Sequence, residues 1–186
     1  MRAACVLFCC LLLAACSACG PFPGCKAYGG RVMGGEGRSA GIDYDAPVGT
    51  PVVAAAAGVV EEVSDGGPTE GLAVTLRHAR FRTRYAPLSR AVVTPGRRIA
   101  RGELLGFSGV SDNHGRIGDA HLFFALCRPE GACRLLRETF NPADFWLEDT
   151  PQCFDPARDY AAAGEALTLP LVCGGHAEAL RAGTPR

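Results

Sequence analysis

The sequence predicts an all-β fold, a small antiparallel sheet or sandwich, in one domain of a 186-residue chain. Three observations carry this. Gly and Pro, 24 and 13 residues, make up about a fifth of the chain and divide it into short runs separated by turns. Several of the runs between Ile42 and Cys127 alternate apolar and polar residues in the two-residue period of a strand. No ten-residue segment in that region has helical periodicity. An apolar content of 48% excludes intrinsic disorder, and 19 basic residues against 19 acidic ones give no reason to expect nucleic acid as a partner.

The strands follow in order. Beyond Ile42, the stretch "TPVVAAAAGVVEEV" holds two β-type runs broken near Ala57-Gly58. "LAVTLRHA" alternates as a half-buried strand should. "FRTRYAPL" alternates again, which puts Arg80, Arg82 and Arg84 on one face and Phe81, Thr83 and Tyr85 on the other. "RRIARGELLGFSG" and "AHLFFALC" complete the set. Asp65-Gly66-Gly67-Pro68 and Pro95-Gly96 are the turns between them. After Asn141-Pro142 the chain reads as an extension with little helix, holding Cys153 and Cys173.

The N-terminus reads as a processing signal. Arg2 precedes an apolar run from Ala3 to Ala15, which is signal-peptide length and too short to span a bilayer. It ends in Leu13-Ala14-Ala15-Cys16, which resembles a bacterial lipobox. That resemblance implies cleavage after residue 15, lipidation of Cys16 and a membrane anchor. Ser17 after the Cys favours the outer membrane, facing the periplasm. Residues 16–37 read as the lipidated Cys and a flexible tether, 38–147 as the β domain and 148–186 as the extension.

Ten cysteines then divide by position. Three leave with the signal segment and Cys16 takes lipid. Cys19, Cys25, Cys127, Cys133, Cys153 and Cys173 remain, an even number in an exported chain, which reads as three disulfides. Six cysteines allow 15 pairings. Neighbour pairing is the simplest of them, and no Cys-x-x-Cys pair supports a zinc cluster instead.

Four segments in order, "AGIDYDAPVGTPVVAAAAGVVEEV", "GLAVTLRHARFRTRYAPLS", "VTPGRRIARGELLGFSG" and "GDAHLFFAL", closed by "FNPADFW", resemble the lysostaphin-type zinc endopeptidases of peptidoglycan. The resemblance covers about residues 38–147 and implies a small β domain with a groove. Members hold zinc through His and Asp of a His-x-Gly-x-Asp motif and the second His of His-x-His. The first His of that pair and a His in Tyr-x-His-Leu act on the water and the oxyanion. Three protein ligands leave zinc's fourth position for a water whose pKa the metal lowers.

Here Asp43 and His121 stand in matching positions, but Ser39, Phe123 and Pro87 replace the first ligand, the third ligand and the second catalytic His. A serine hydroxyl is a poor zinc ligand and a phenyl ring is none. Asp43 and His121 are therefore read as remnants, with Tyr85, Phe124, Phe123 and His114 expected to line a groove. No cofactor is expected unless Asp43, His114 and His121 rebuild a metal site. His78 carries no expected metal role, and His176 lies in the tail. Eight arginines fall between residues 77 and 101, expected as a solvated face partly neutralised by Glu61 and Glu62. The resemblance implies an envelope lipoprotein with an inactive peptidase-like domain that binds peptidoglycan or regulates a cell-wall hydrolase. The alternatives are a zinc endopeptidase with a non-standard ligand set and a structural envelope lipoprotein.

Overall fold

The computed structural model describes residues 40–65, 70–110, 120–131, 133, 135–149 and 152–173. Ser39, His114, His176, Cys16, Cys19, Cys25, the signal segment and the tether lie outside the described residues. Short runs and frequent turns become nine strands: β1 (Ile42–Asp45), β2 (Pro51–Val53), β3 (Gly58–Asp65), β4 (Leu72–Arg77), β5 (Arg82–Ala91), β6 (Arg98–Ile99), β7 (Leu104–Val110), β8 (Ala120–Cys127) and β9 (Thr139–Phe140). All belong to one antiparallel sheet, ordered β1-β8-β7-β5-β4-β3-β6, with β2 on β7 and β9 on β8. The all-β expectation holds. Among the described residues no helix is long and apolar enough to cross a membrane.

The sheet curls because β5 changes partner along its length. Arg82 to Ala86 pair with β8, and Leu88 to Ala91 pair with β7. Pro87 falls at the changeover and has no partner in either ladder. On the β4 side the register also shifts, between Leu72 and Val74, and Pro87 is unpaired there too. A proline has no backbone N–H to give a ladder, so a changeover is a place a strand tolerates it.

Alternation decides what the sheet buries. Ile42, Tyr44, Val74, Leu76, Tyr85, Leu122, Phe124 and Leu126 point to one face and are fully buried in the main core. Leu167, Leu169 and Leu171 fill the same core from the far end of the chain. Backbone bonds hold them in place: Val53 N donates to Pro170 O (3.0 Å), and Thr168 N donates to Ala55 O (3.0 Å). The expected extension is thus part of the domain's own packing. Its Cys153–Cys173 disulfide is present, as is Cys127–Cys133, both matching neighbour pairing.

Candidate functional site

The face of the sheet opposite the core carries the residues of interest. In the β1–β8 ladder Asp43 stands directly opposite Phe123, and Asp45 directly opposite His121. Opposed residues share a face, so Asp43, Asp45, His121 and Phe123 are grouped there. Asp43 and His121 are diagonal neighbours, roughly 7–8 Å apart between backbones. Ala86 of β5 opposes Phe123 from the other side, and Gly109 of β7 opposes His121. The sequence therefore named three residues that the fold brings together, Asp43, His121 and Phe123. It overlooked Asp45, although Asp45 has the same parity as Asp43 along the strand.

Phe123 decides the chemistry of this corner. A Cβ added at Gly41 would meet Phe123 Cε2 and Cζ at 2.7 and 2.8 Å. The phenyl ring thus lies against the bare backbone of Gly41, across the segment that holds Asp43. On its other flank it packs against the buried cluster of Ala125, Cys127 and Cys133. Zinc needs about four donors within a few tenths of an ångström of fixed distances. Among the described residues no three His, Cys, Asp or Glu side chains stand as a group able to hold a metal. The described residues of this corner do not fit zinc.

Two expected groove residues are elsewhere. Tyr85 and Phe124 are opposite each other across β5 and β8, with rings 5.4 Å apart, and both are fully buried. They belong to the core and line no groove. The reason is parity: Phe123 and Phe124 are successive residues of a strand and must point to opposite faces. Pro87 is buried, and its Cβ would stand 2.9 Å from a Cβ placed on Gly71. Gly71 has φ +67°, a left-handed conformation that also favours glycine there.

His78 is likewise a core residue, 8% exposed. Its Nδ1 donates to Ala57 O at 2.7 Å, and its Nε2 lies 2.8 Å from Thr83 Oγ1. Thr83 Oγ1 is in turn 3.0 Å from Tyr85 Oη, which accepts from Ala55 N at 3.1 Å. Burial pushes the Tyr85 phenol up to about 12. Burial also lowers the His78 pKa from 6.5, against smaller opposing effects of the Ala57 bond and Glu165 and with a small contribution from Arg101. A ring kept neutral by the fold contributes stability that is present in full above the unfolded value. That contribution is lost as pH falls below about 6.5, where the unfolded chain takes up a proton that the folded chain resists. Melting temperature is therefore expected to fall between about pH 7 and pH 5. His78→Gln is expected to flatten this slope, and an unchanged slope in the variant would reject the assignment.

The arginine run is not a uniformly solvated face. Arg84 is 6% exposed and is bound by Glu70 (3.0 Å), Glu62 (3.8 Å) and Thr75 Oγ1 (3.1 Å). Arg82 pairs with Glu61 at 3.1 Å and donates to the carbonyls of Arg128 and Gly131. It thereby holds the loop closed by Cys127–Cys133 against the sheet. The sequence foresaw Glu61 and Glu62 as partners but gave no sign of Glu70 or of the burial of Arg84.

Comparison with known proteins adds the following. The family model described as Peptidase family M23 matches residues 37–134, just over half of the chain. The peptidoglycan DD-endopeptidase ShyA of Vibrio cholerae serotype O1 is 37% identical over 87 residues, 46% of this chain and 19% of that protein. ShyC, a peptidoglycan DD-endopeptidase of the same organism, is 40% identical over 85 residues, 45% of this chain and 19% of that protein. The chain thus spans about a fifth of the length of these curated relatives. The catalytic domain of lysostaphin from Staphylococcus simulans superposes with a TM-score of 0.57 at 24% identity, covering 64% of this chain and 88% of that domain. That likeness is one of fold.

Proposed function

Because the chain belongs to peptidase family M23, we propose that it is an envelope lipoprotein whose family domain binds peptidoglycan, or regulates a hydrolase acting on it, without cleaving it. The observation that carries this reading is the Phe123 ring, which stands opposite Asp43 and rests on Gly41. It puts hydrocarbon where the resemblance calls for the third zinc ligand. Pro87 removes a second proton-transfer group, and Ser39 removes the first ligand from the sequence. The family and the names of ShyA and ShyC support peptidoglycan as the partner polymer. Lipidation at Cys16 would tether the domain at the membrane within reach of the wall.

Retained binding with lost chemistry is physically coherent. A strand-lined surface is fixed by backbone pairing and core packing, whereas metal chemistry depends on a few side chains. The purified protein is expected to co-sediment with peptidoglycan sacculi, to release no muropeptides and to retain no zinc after gel filtration. One equivalent of zinc, with muropeptide release stopped by a chelator, would show instead a peptidase with a non-standard ligand set. Neither binding nor release would leave the structural lipoprotein.

A further inference from the structure

Of the eight arginines between residues 77 and 101, six have partners within the domain. Arg80 pairs with Glu165, Arg82 with Glu61, Arg84 with Glu62 and Glu70, and Arg97 with Glu103. Arg90 lies over the Phe107 ring, and Arg101 donates to the carbonyls of Ala55 and Gly164. Arg77 and Arg98 have no such partner among the described residues, and both are exposed. They are far apart in sequence, yet the sheet places them in one row.

The registers make that row explicit. Cys127 opposes Arg82, Arg82 opposes Arg77, Arg77 opposes Val59, and Val59 opposes Arg98. Opposed residues of an antiparallel sheet share a face, and here it is the face that carries Asp43, His121 and Phe123. The neighbours on the other face, Thr83, Leu76, Val60 and Ile99, are all buried, which fixes the outward direction of the row. Arg77 and Arg98 are two strand spacings apart, about 10 Å between backbones. Their side chains are long enough to converge on one anion above Val59 or to grip two neighbouring ones. Arg82, directly opposite Arg77, is already met by Glu61 at 3.1 Å, so the unpaired charge of the row is that of Arg77 and Arg98.

We propose that Arg77 and Arg98 form a two-pronged clamp for the stem-peptide carboxylates of peptidoglycan; this rests on the binding reading above and names what that surface grips. A guanidinium matches a carboxylate with two parallel hydrogen bonds. Measured along the sheet, Arg77 lies about 16 Å and Arg98 about 23 Å from Phe123, four residues along and two and four strands over, so only an extended polymer spanning that distance reaches both. A lipid surface fits less well. It calls for exposed apolar side chains beside the cations, whereas Val48, Val110 and Leu135, the large apolar residues exposed among the described ones, lie outside this row.

The test is co-sedimentation of the purified protein with sacculi, in chelator, at several salt concentrations. Arg77→Gln with Arg98→Gln is expected to weaken retention about tenfold, with an unchanged melting temperature. Sacculi whose carboxyls have been converted to amides are expected to bind the unaltered protein as weakly, with no further loss in the double variant. A double variant that binds like the parent, or full binding to amidated sacculi, overturns the clamp and leaves the binding reading standing. No binding by the parent protein overturns both. Arginine-dependent binding to phosphatidylglycerol vesicles in place of sacculi overturns the clamp in favour of a lipid phosphate. Cleavage on adding zinc would overturn only the non-cleaving reading.

Discussion

The protein with Ser39 and Phe123 both replaced by histidine is expected to carry about one equivalent of zinc, and the parent to carry none. With Asp43 in place the pair would complete two imidazoles and one carboxylate, a set that holds zinc with one position left open. The measurement is metal content of the purified protein after gel filtration. Each single substitution leaves only two ligands of this set and is expected to fall well short of one equivalent. Phe123→His also removes a ring packed on Gly41 and on the Cys127–Cys133 cluster. It should therefore lower stability by about 1–2 kcal/mol before metal is added, and zinc should restore it, because a ligand bound by the native state stabilises that state. Muropeptide release should remain low while Pro87 is present, which separates holding the metal from using it. A folded double variant that takes up no zinc would show that Ser39 and Phe123 are not the vacated ligand positions.

Leu169→Ala is expected to destabilise the domain by about 3 kcal/mol, read from urea or thermal unfolding. Leu169 is fully buried among residues of the main core, and its amide is tied to Gln152 O at 2.9 Å. Its removal leaves a cavity that the surrounding strands cannot close. A chain ending at residue 147 goes further, since it loses Leu167, Leu169 and Leu171 together with the Cys153–Cys173 loop. That chain is expected to show no cooperative unfolding transition. A loss under about 0.5 kcal/mol for Leu169→Ala would mean that the segment lies on the domain without supporting it.

Where sequence reading succeeded, it relied on local regularity. The alternation in "FRTRYAPL" correctly separated Arg82 and Arg84 from Thr83 and Tyr85, because a strand has no other way to arrange successive side chains. The same rule, applied to "AHLFFALC", would have separated Phe123 from Phe124. Treating the two as one apolar lining put Phe124 and Tyr85 in a groove when they are core. Other features had no local signal. That Leu169 joins a core built by residues 42–126, or that Glu70 neutralises a buried arginine, depends on pairings between distant segments. Composition and period carry no information about those. Asp43, His121 and Phe123 were legible because of the motif spacing. Their proximity follows from a β1–β8 register that alternation alone leaves free to slide by two residues.

The position of Pro87 has a consequence for descent. It sits where β5 passes from β8 to β7 and where the β4 ladder also skips, so no sheet hydrogen bond requires its amide. A side chain that serves chemistry and a backbone that serves architecture are thus independent at this site. A lineage can give up a proton-transferring residue here without weakening the scaffold, and the scaffold then remains available for selection as a surface. On this reading the loss of a proton-transferring side chain at Pro87 needed no refolding, because the sheet asks nothing of the amide there.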